Sequence, residues 1–292
     1  MSDPKIPLDP IADLLDVLEL KKITETDFVG RSQWMPQGRV FGGQVLAQSL
    51  VASMSTLPDT RRVHSLHSYF LRAGDVDQEI NFEVEVLRDG RSFSARRVKA
   101  VQSGKPIFVL SASFQDEAPG LSHQEPMPKG LPEPESLPSA KEILGEVDHP
   151  AAKYWANARP FDFRHISEPI YLRPAKDKSA DQMIWFKAIG EVPTEEKLHT
   201  AALAYASDYT ILESILRNHG LSWAYPGLNM ASLDHAMWFH GKPNVNDWML
   251  YVQHSPSASG GRGLAFGSIY SKEGALLVSI AQEGMVRVPD YR

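Results

Sequence analysis

Residues 41–57, "FGGQVLAQSLVASMSTL", carry no charged side chain, and the stretch reads as a helix buried on every side. It is followed by "RVHSLHSYFLR" (62–72) and by three stretches of strand character at 79–88, 91–101 and 105–115. In the first strand Ile80, Phe82, Val84 and Val86 alternate with Asn81, Glu83 and Glu85, the period of a sheet with one buried face. "RDGR" (88–91) and "QSGKP" (102–106) supply the turns between strands.

A second series resembles the first. A helix beginning near Thr194 places Leu198, Ala201, Tyr205, Asp208, Leu212 and Ile215 on one stripe, five apolar or aromatic residues and a carboxylate. "MASLDHAMWFH" (230–240) follows, then strands near 246–254, 263–271 and 275–287, separated by "ASGGR" (258–262) and "SKEG" (271–274). "HSYFLR" at 67–72 stands opposite "HAMWFH" at 235–240, an offset of 168, and the segments from Gly90 and Gly261 match at 170–171. Similar order at nearly constant spacing indicates two copies of one unit, a buried helix and then an antiparallel meander. Between them, residues 119–150 hold seven prolines in 32 positions, too many for a continuous helix or a central strand. The chain therefore divides into a unit at 1–118, a linker at 119–150 and a unit at 151–292. A helix hydrophobic on all sides must be enclosed, and a curved antiparallel sheet wrapped around it does so. The expected fold class is α+β, a double hotdog of two tandem units.

Composition narrows the function. The chain is 42% hydrophobic with a net charge of −6, a soluble globular balance that argues against nucleic-acid binding. With no cysteine there is no disulfide, thiolate metal site or cysteine nucleophile. The N-terminus is too acidic for a signal peptide, and no window is long and apolar enough for a membrane helix, so the expected location is cytoplasmic.

Asp208 is the first candidate for chemistry, because a carboxylate on an apolar stripe must find partners or take up a proton. Gln282 is the second: Leu276, Val278, Ile280 and Gln282 share a strand face, so a core row ends in an amide that needs hydrogen bonds. Ser232 is the third, a hydroxyl just before "DH", by itself equally an ordinary strand-end residue. "GRVFGGQ" (38–44) is glycine-rich but lacks the Gly-Lys-Ser/Thr of a phosphate loop; Gly42, Gly43 and Gln44 at a helix start could present N–H groups to an oxyanion, or serve only close packing. "GLSWA" (220–224) is not a nucleophile elbow. His64 and His67, like His235 and His240, would face opposite ways on strands, so no metal site emerges and no cofactor is expected.

Together, "GRVFGGQVLAQSL", "VHSLHSYFLRAGD", "LAYASDYTIL", "SLDHAMWFH" and "SASGGRG…VSIAQEG" resemble the acyl-CoA thioesterase II (TesB-type) family, in that family's order along almost the whole chain. The resemblance implies a hydrolase that cleaves acyl-CoA to a free acid and CoA. It implies that Asp208, Ser232 and Gln282 hold and activate a catalytic water, with serine where the family often has threonine. Gln44 is expected near the first-half counterpart of Asp208, so that one complete site remains. The alternatives are a hotdog enoyl-CoA hydratase or dehydratase and a non-catalytic acyl-CoA-binding protein. Hotdog units usually associate, so a homo-oligomer is expected, with acyl-CoA as ligand and no nucleic-acid or membrane partner. Arg72, Arg91 and Arg262 are among several arginines that could meet the CoA phosphates.

Overall fold

A computed structural model describes residues 6–289. The first half holds α1 (Pro10–Leu18), β1 (Lys21–Lys22), β2 (Asp27–Gly30), α2 (Gly42–Met54), β3 (Arg62–Phe70), β4 (Ile80–Asp89), β5 (Phe93–Gln102) and β6 (Lys105–Gln115). The proline-rich stretch carries a 3-10 turn at Pro134–Ser136 and the helix α3 (Ala140–Leu144), and α4 (Pro150–Asn157) follows. The second half holds β7 (Phe161–His165), β8 (Asp181–Ala188), α5 (Glu196–Ser207), α6 (Glu213–His219), β9 (Asn229–Ser232), β10 (Asp234–Phe239), β11 (Met249–Ser259), β12 (Arg262–Ser271) and β13 (Leu276–Arg287).

The strands form one antiparallel sheet in the order β1-β2-β4-β5-β6-β3-β10-β13-β12-β11-β8-β7, with β9 attached to β13. Its centre is the β3–β10 pair, where His235 stands opposite Ser68 and Met237 opposite Leu66. The two segments matched at an offset of 168 are thus neighbours across a pseudo-twofold axis, and the double hotdog is one continuous sheet wrapped around two helices. The face-true offset differs from 168. His67 points outward while His235 is fully buried, and the inward pair Leu66 and Ser68 corresponds to His235 and Met237. A one-residue shift turns a strand over, so an alignment drawn on the histidines puts them on opposite faces.

α2 is enclosed as its lack of charge demands, with eleven of its residues buried, from Gly43 to Met54. Its two glutamines are satisfied internally: Gln48 Nε2 donates to Val17 O and Arg31 O, both at 2.9 Å, and Gln44 Oε1 accepts from Gln33 N at 3.0 Å. α5 runs antiparallel beside it. Gly43 lies so near the end of α5 that a Cβ there would sit 2.3 Å from Tyr205 O, while at the far end Lys197 Nζ donates to Met54 O at 3.3 Å. The α5 helix is shorter than its stripe suggests. It stops at Ser207, Asp208 forms its C-cap, and a turn intervenes before α6, so the six stripe positions do not lie on one continuous helix. In β4 the alternation holds for Ile80, Phe82 and Val84, but Val86 is 48% exposed where the β4–β5 hairpin slips register between Val86 and Arg88.

The proline-rich stretch lies along the outer face of the second half. Trp185 Nε1 donates to Pro132 O at 3.1 Å, Trp248 Nε1 to Glu135 Oε1 at 2.6 Å, and Arg164 Nη1 to Leu137 O at 2.8 Å. Met127, Leu131 and Leu137 pack on the cluster of Trp185, Trp248, Leu250 and Tyr270. Its one short helix, α3, starts with a capping box between Ser139 and Glu142. Trp185→Ala should cost about 3–5 kcal/mol of stability, read from urea or thermal unfolding, because it empties that cluster and orphans Pro132 O.

Candidate functional site

The end of α5 meets the start of α2 at a cavity of about 590 Å³ lined by Gly42, Phe70, Asp208, Tyr209 and Ser232. Asp208 and Ser232 lie in this wall and Gln282 stands buried behind them, the three converging from different elements. Gln282 Nε2 donates to Asp208 Oδ1 and to Ser232 Oγ, both at 2.8 Å, and Ser232 Oγ donates to the same Asp208 oxygen at 3.2 Å. Ser232 ends β9 and is held opposite Gly284 of β13, two positions beyond Gln282. The turn to β10 is clamped by Leu233, whose N–H donates to Glu283 O and whose carbonyl accepts from Phe70 N, each at 2.9 Å.

Burial pushes the Asp208 carboxyl up to about 6, against the pull of Gln282, Ser232 and the Gly43 N–H, all of which favour the ionised form. The carboxylate also sits at the negative end of α5 and the positive end of α2, whose helix dipoles act on it with opposite sign. Gly42 and Gly43 make this closeness possible: a Cβ on Gly42 would lie 2.6 Å from Asp208 Oδ2. The three glycine-loop candidates therefore separate. Gly43 N–H is engaged by Asp208, and Gln44 N–H by Phe41 O at 3.1 Å. The Gln44 side chain points away toward Arg31 and Gln48, and Gly42 alone of the three lines the cavity.

His235, which the sequence offered only as one of a metal pair, is the support beneath this group. It is fully buried on the inward face of β10, and its Nδ1 bonds Gln282 Oε1. Its Nε2 lies 3.0 Å from Ser207 Oγ. The protons follow from the partners. An ionised Asp208 accepts only, so the Gln282 amide must turn its N–H₂ toward it and its oxygen toward His235. Burial pushes His235 down to about 4, so the ring is neutral and its single proton belongs on Nδ1. The signal in sequence was parity: with Met237 inward, His235 must be inward too.

Of the arginines considered for CoA, Arg72 lies on the cavity rim with Arg39, whereas Arg262 Nε pairs with Glu283 at 2.9 Å and Arg91 sits in the β4–β5 turn. The pseudo-symmetric counterpart, at the other end of the helix pair, is a cavity of about 600 Å³ lined by Met54, Arg62, His64 and Lys197. There the C-cap of α2 is Ser55, so the position matching Asp208 carries a hydroxyl, and Gln44 lies at the opposite end of α2. Ion pairs hold this second cavity together, including Lys197–Asp59 at 2.7 Å and Arg62–Glu196 at 2.7 Å.

Residues 161–285 match the family profile described as Acyl-CoA thioesterase, and residues 31–115 match that of the Acyl-CoA thioesterase N-terminal domain. The chain is 38% identical over 284 residues to Acyl-CoA thioesterase 2 of Haemophilus influenzae, covering 96% of this chain and 98% of that protein. It is 39% identical over 297 residues to human Acyl-coenzyme A thioesterase 8, covering 96% of this chain and 92% of the relative. Among solved structures it is similar to the acyl-CoA thioesterase II TesB2 of Mycobacterium marinum, with a TM-score of 0.79 and 38% identity over 96% of this chain and all of the other. With the fold, the order of its motifs and these relatives in agreement, the chain belongs to the acyl-CoA thioesterase II (TesB-type) family.

Proposed function

We propose that the protein hydrolyses acyl-CoA thioesters by direct attack of water, with no covalent acyl-enzyme. The observation that carries this is the single carboxylate Asp208, shared by Gln282 and Ser232, desolvated and set in the wall of a cavity. Asp208 takes a proton from water as its oxygen attacks the thioester carbonyl carbon. Ser232 orients that water through its remaining lone pair, while Gln282, whose two N–H groups and oxygen are already engaged, holds Asp208 and Ser232 in place. The developing oxyanion needs a donor in place before charge forms, and the Gly42 N–H at the start of α2 fits this role, since the Gly43 and Gln44 N–H groups are engaged. Collapse of the tetrahedral intermediate breaks the C–S bond, and the departing thiolate leaves as the CoA thiol once protonated.

Arg39 and Arg72 on the exposed rim suit the CoA phosphates, which leaves the buried end of the cavity for the acyl group. The same reading takes 1–118 and 151–292 as tandem units joined through 119–150, with the second contributing Asp208, Ser232 and Gln282. Tyr69, Trp238 and Phe266, exposed on the outer face of the sheet, support self-association into a homo-oligomer acting in the cytoplasm.

Free-thiol release from octanoyl-CoA is the direct test, and the cysteine-free chain adds no background. Asp208→Asn should fold and lose about two to four orders of magnitude in kcat; full activity in that variant ends the assignment. In the wild type, kcat/KM should fall as pH drops through about 6, where the base becomes protonated. Stability should move the other way. A folded pKa raised above the unfolded value favours the protonated form on folding, so stability is lost as pH rises from about 4 to above 6. Relative to Asp208→Asn, the wild type should therefore lose up to about 2–3 kcal/mol between pH 4 and pH 8 in urea titrations. His235→Asn, whose amide N–H can stand in for Nδ1–H, should retain more activity than His235→Leu. In His235→Leu the acid limb of kcat/KM should shift to higher pH as Gln282 loses its orientation. An unmoved limb in an active His235→Leu would reduce His235 to packing.

A further inference from the structure

Ser232 and Gln282 meet across an interruption in the sheet. Along β13 the pairing passes from Gly284 opposite Ser232 to Ala281 opposite Ala236, so that Leu233, Asp234 and His235 stand against only Gln282 and Glu283. An extra residue of this kind bends its strand and breaks the ladder locally. Gln282 lies inside the break and Ser232 at its edge, so their mutual position depends on how the gap is closed. Two hydrogen bonds close it. Leu233 N–H donates to Glu283 O at 2.9 Å, and Glu283 N–H donates to Asp234 Oδ1 at 2.6 Å. The second is a bond that a strand carbonyl ordinarily accepts, supplied here by a side chain.

Asp234 does this at a cost. Burial pushes its carboxyl up, the Glu283 N–H pulls it down, and the nearby Glu283 carboxylate pushes it up again. Arg262 Nε pairs with that Glu283 carboxylate at 2.9 Å and leaves Asp234 to the backbone. The first half supplies the comparison. β3 carries the same extra residue at His64: Val63 stands opposite Phe114, and the pairing resumes with Ser65 opposite Ser113 and Leu66 opposite Ala112. Matched residue for residue through the two bulges, Val63, Ser65, Leu66 and Ala112 occupy the places of Ser232, Asp234, His235 and Gln282. One copy of the bulge has an apolar set and a serine where the other has the polar group and a carboxylate.

We propose that Asp234 is a positioning residue for the hydrolysis: by accepting from Glu283 N–H it fixes the offset between Ser232 and Gln282, and so the placement of the water at Asp208. This rests on the thioesterase reading. Asp234 acts through the backbone and touches neither substrate nor water. Its contribution is an oxygen acceptor at one place, and its charge is dispensable.

The test is thiol release from octanoyl-CoA by the wild type and a set of variants. Asp234→Asn keeps an oxygen at the same reach and should hold kcat within about 3-fold. Asp234→Ala removes the acceptor, and Asp234→Glu carries it a methylene too far. Both should lose about 10- to 100-fold in kcat, the effect of a displacement on the order of 1 Å at a reacting group, with KM within about 3-fold because the rim and cavity wall are untouched. In a Ser232→Ala background, where the group being placed is gone, Asp234→Ala should cost less than about 3-fold further, whereas a general weakening of the sheet would act independently and in full. Amide hydrogen exchange reads the bond without reference to activity: Glu283 N–H should be protected in the wild type and in Asp234→Asn, and exchange faster in Asp234→Ala and Asp234→Glu. Wild-type kcat in a folded Asp234→Ala or Asp234→Glu overturns the proposal. So does an Asp234→Asn that fails as badly as they do, or a loss of the same factor in the Ser232→Ala background. No thiol release by the wild type overturns the thioesterase reading and the positioning role with it, a different result from release that these substitutions leave unchanged.

Discussion

The site depends on one close approach, the backbone of α2 at Gly43 against the last turn of α5 at Tyr205. Only residues without a side chain permit it, and it brings the amide end of one helix to the carboxylate that caps the other. Asp208 is consequently a group under opposed forces. Burial and the end of its own helix disfavour its charge, while Gly43, Gln282 and Ser232 favour it. A fully stabilised carboxylate would be a feeble base and an unsupported one would be neutral at physiological pH; the balance leaves it ionised but willing to accept a proton. The layer behind it is part of that balance, since a neutral His235 fixes which end of the Gln282 amide faces Asp208.

Much of this was legible in the chain, for reasons that can be traced to particular residues. The enclosed α2 follows from the absence of charge across 41–57, and β4 and β13 from alternation ending in Val84 and in Gln282. What could not be read were features decided by tertiary contact. Nothing local stops α5 at Ser207, since neither glycine nor proline is there; the stop comes from the turn that places Asp208 against α2. β7 and β8 passed unnoticed because Phe161, Phe163, Ile184 and Phe186 belong to short runs: β7 pairs only with β8, across an irregular connection, and β8 is tied to the rest of the sheet by β11, far along the chain. The face of His235 needed strand parity, and the homology of "HSYF" with "HAMWF" pointed to the wrong parity by one residue.

The two ends of the helix pair show how a duplicated unit can diverge. Both ends keep a cavity of similar size, yet one presents Asp208 with its amide and hydroxyl partners, while at the other the C-cap Ser55 bonds back to Val51 O and ion pairs line the cavity. The Asp208 end also takes its glycines from the opposite half, so neither half contains the candidate site by itself. The asymmetry lies in polar side chains and in inserted backbone, since α6 and β9, which carries Ser232, stand between α5 and β10 while α2 leads directly to β3.

The central β3–β10 pair also sets a problem for the nascent chain. When the first half leaves the ribosome its sheet ends at β3, a nine-residue edge whose pairing partner is not made until Asp234–Phe239 has been synthesised. During that interval an unpaired strand next to an apolar helix is the kind of surface on which two growing chains can join the wrong way. The outward residues of β3 ease the danger: Arg62, His64 and His67 interrupt the edge with groups that aggregate poorly. Those positions therefore serve the seconds of synthesis as well as the finished protein, and substitutions there should be felt as lost yield before they are felt as lost function.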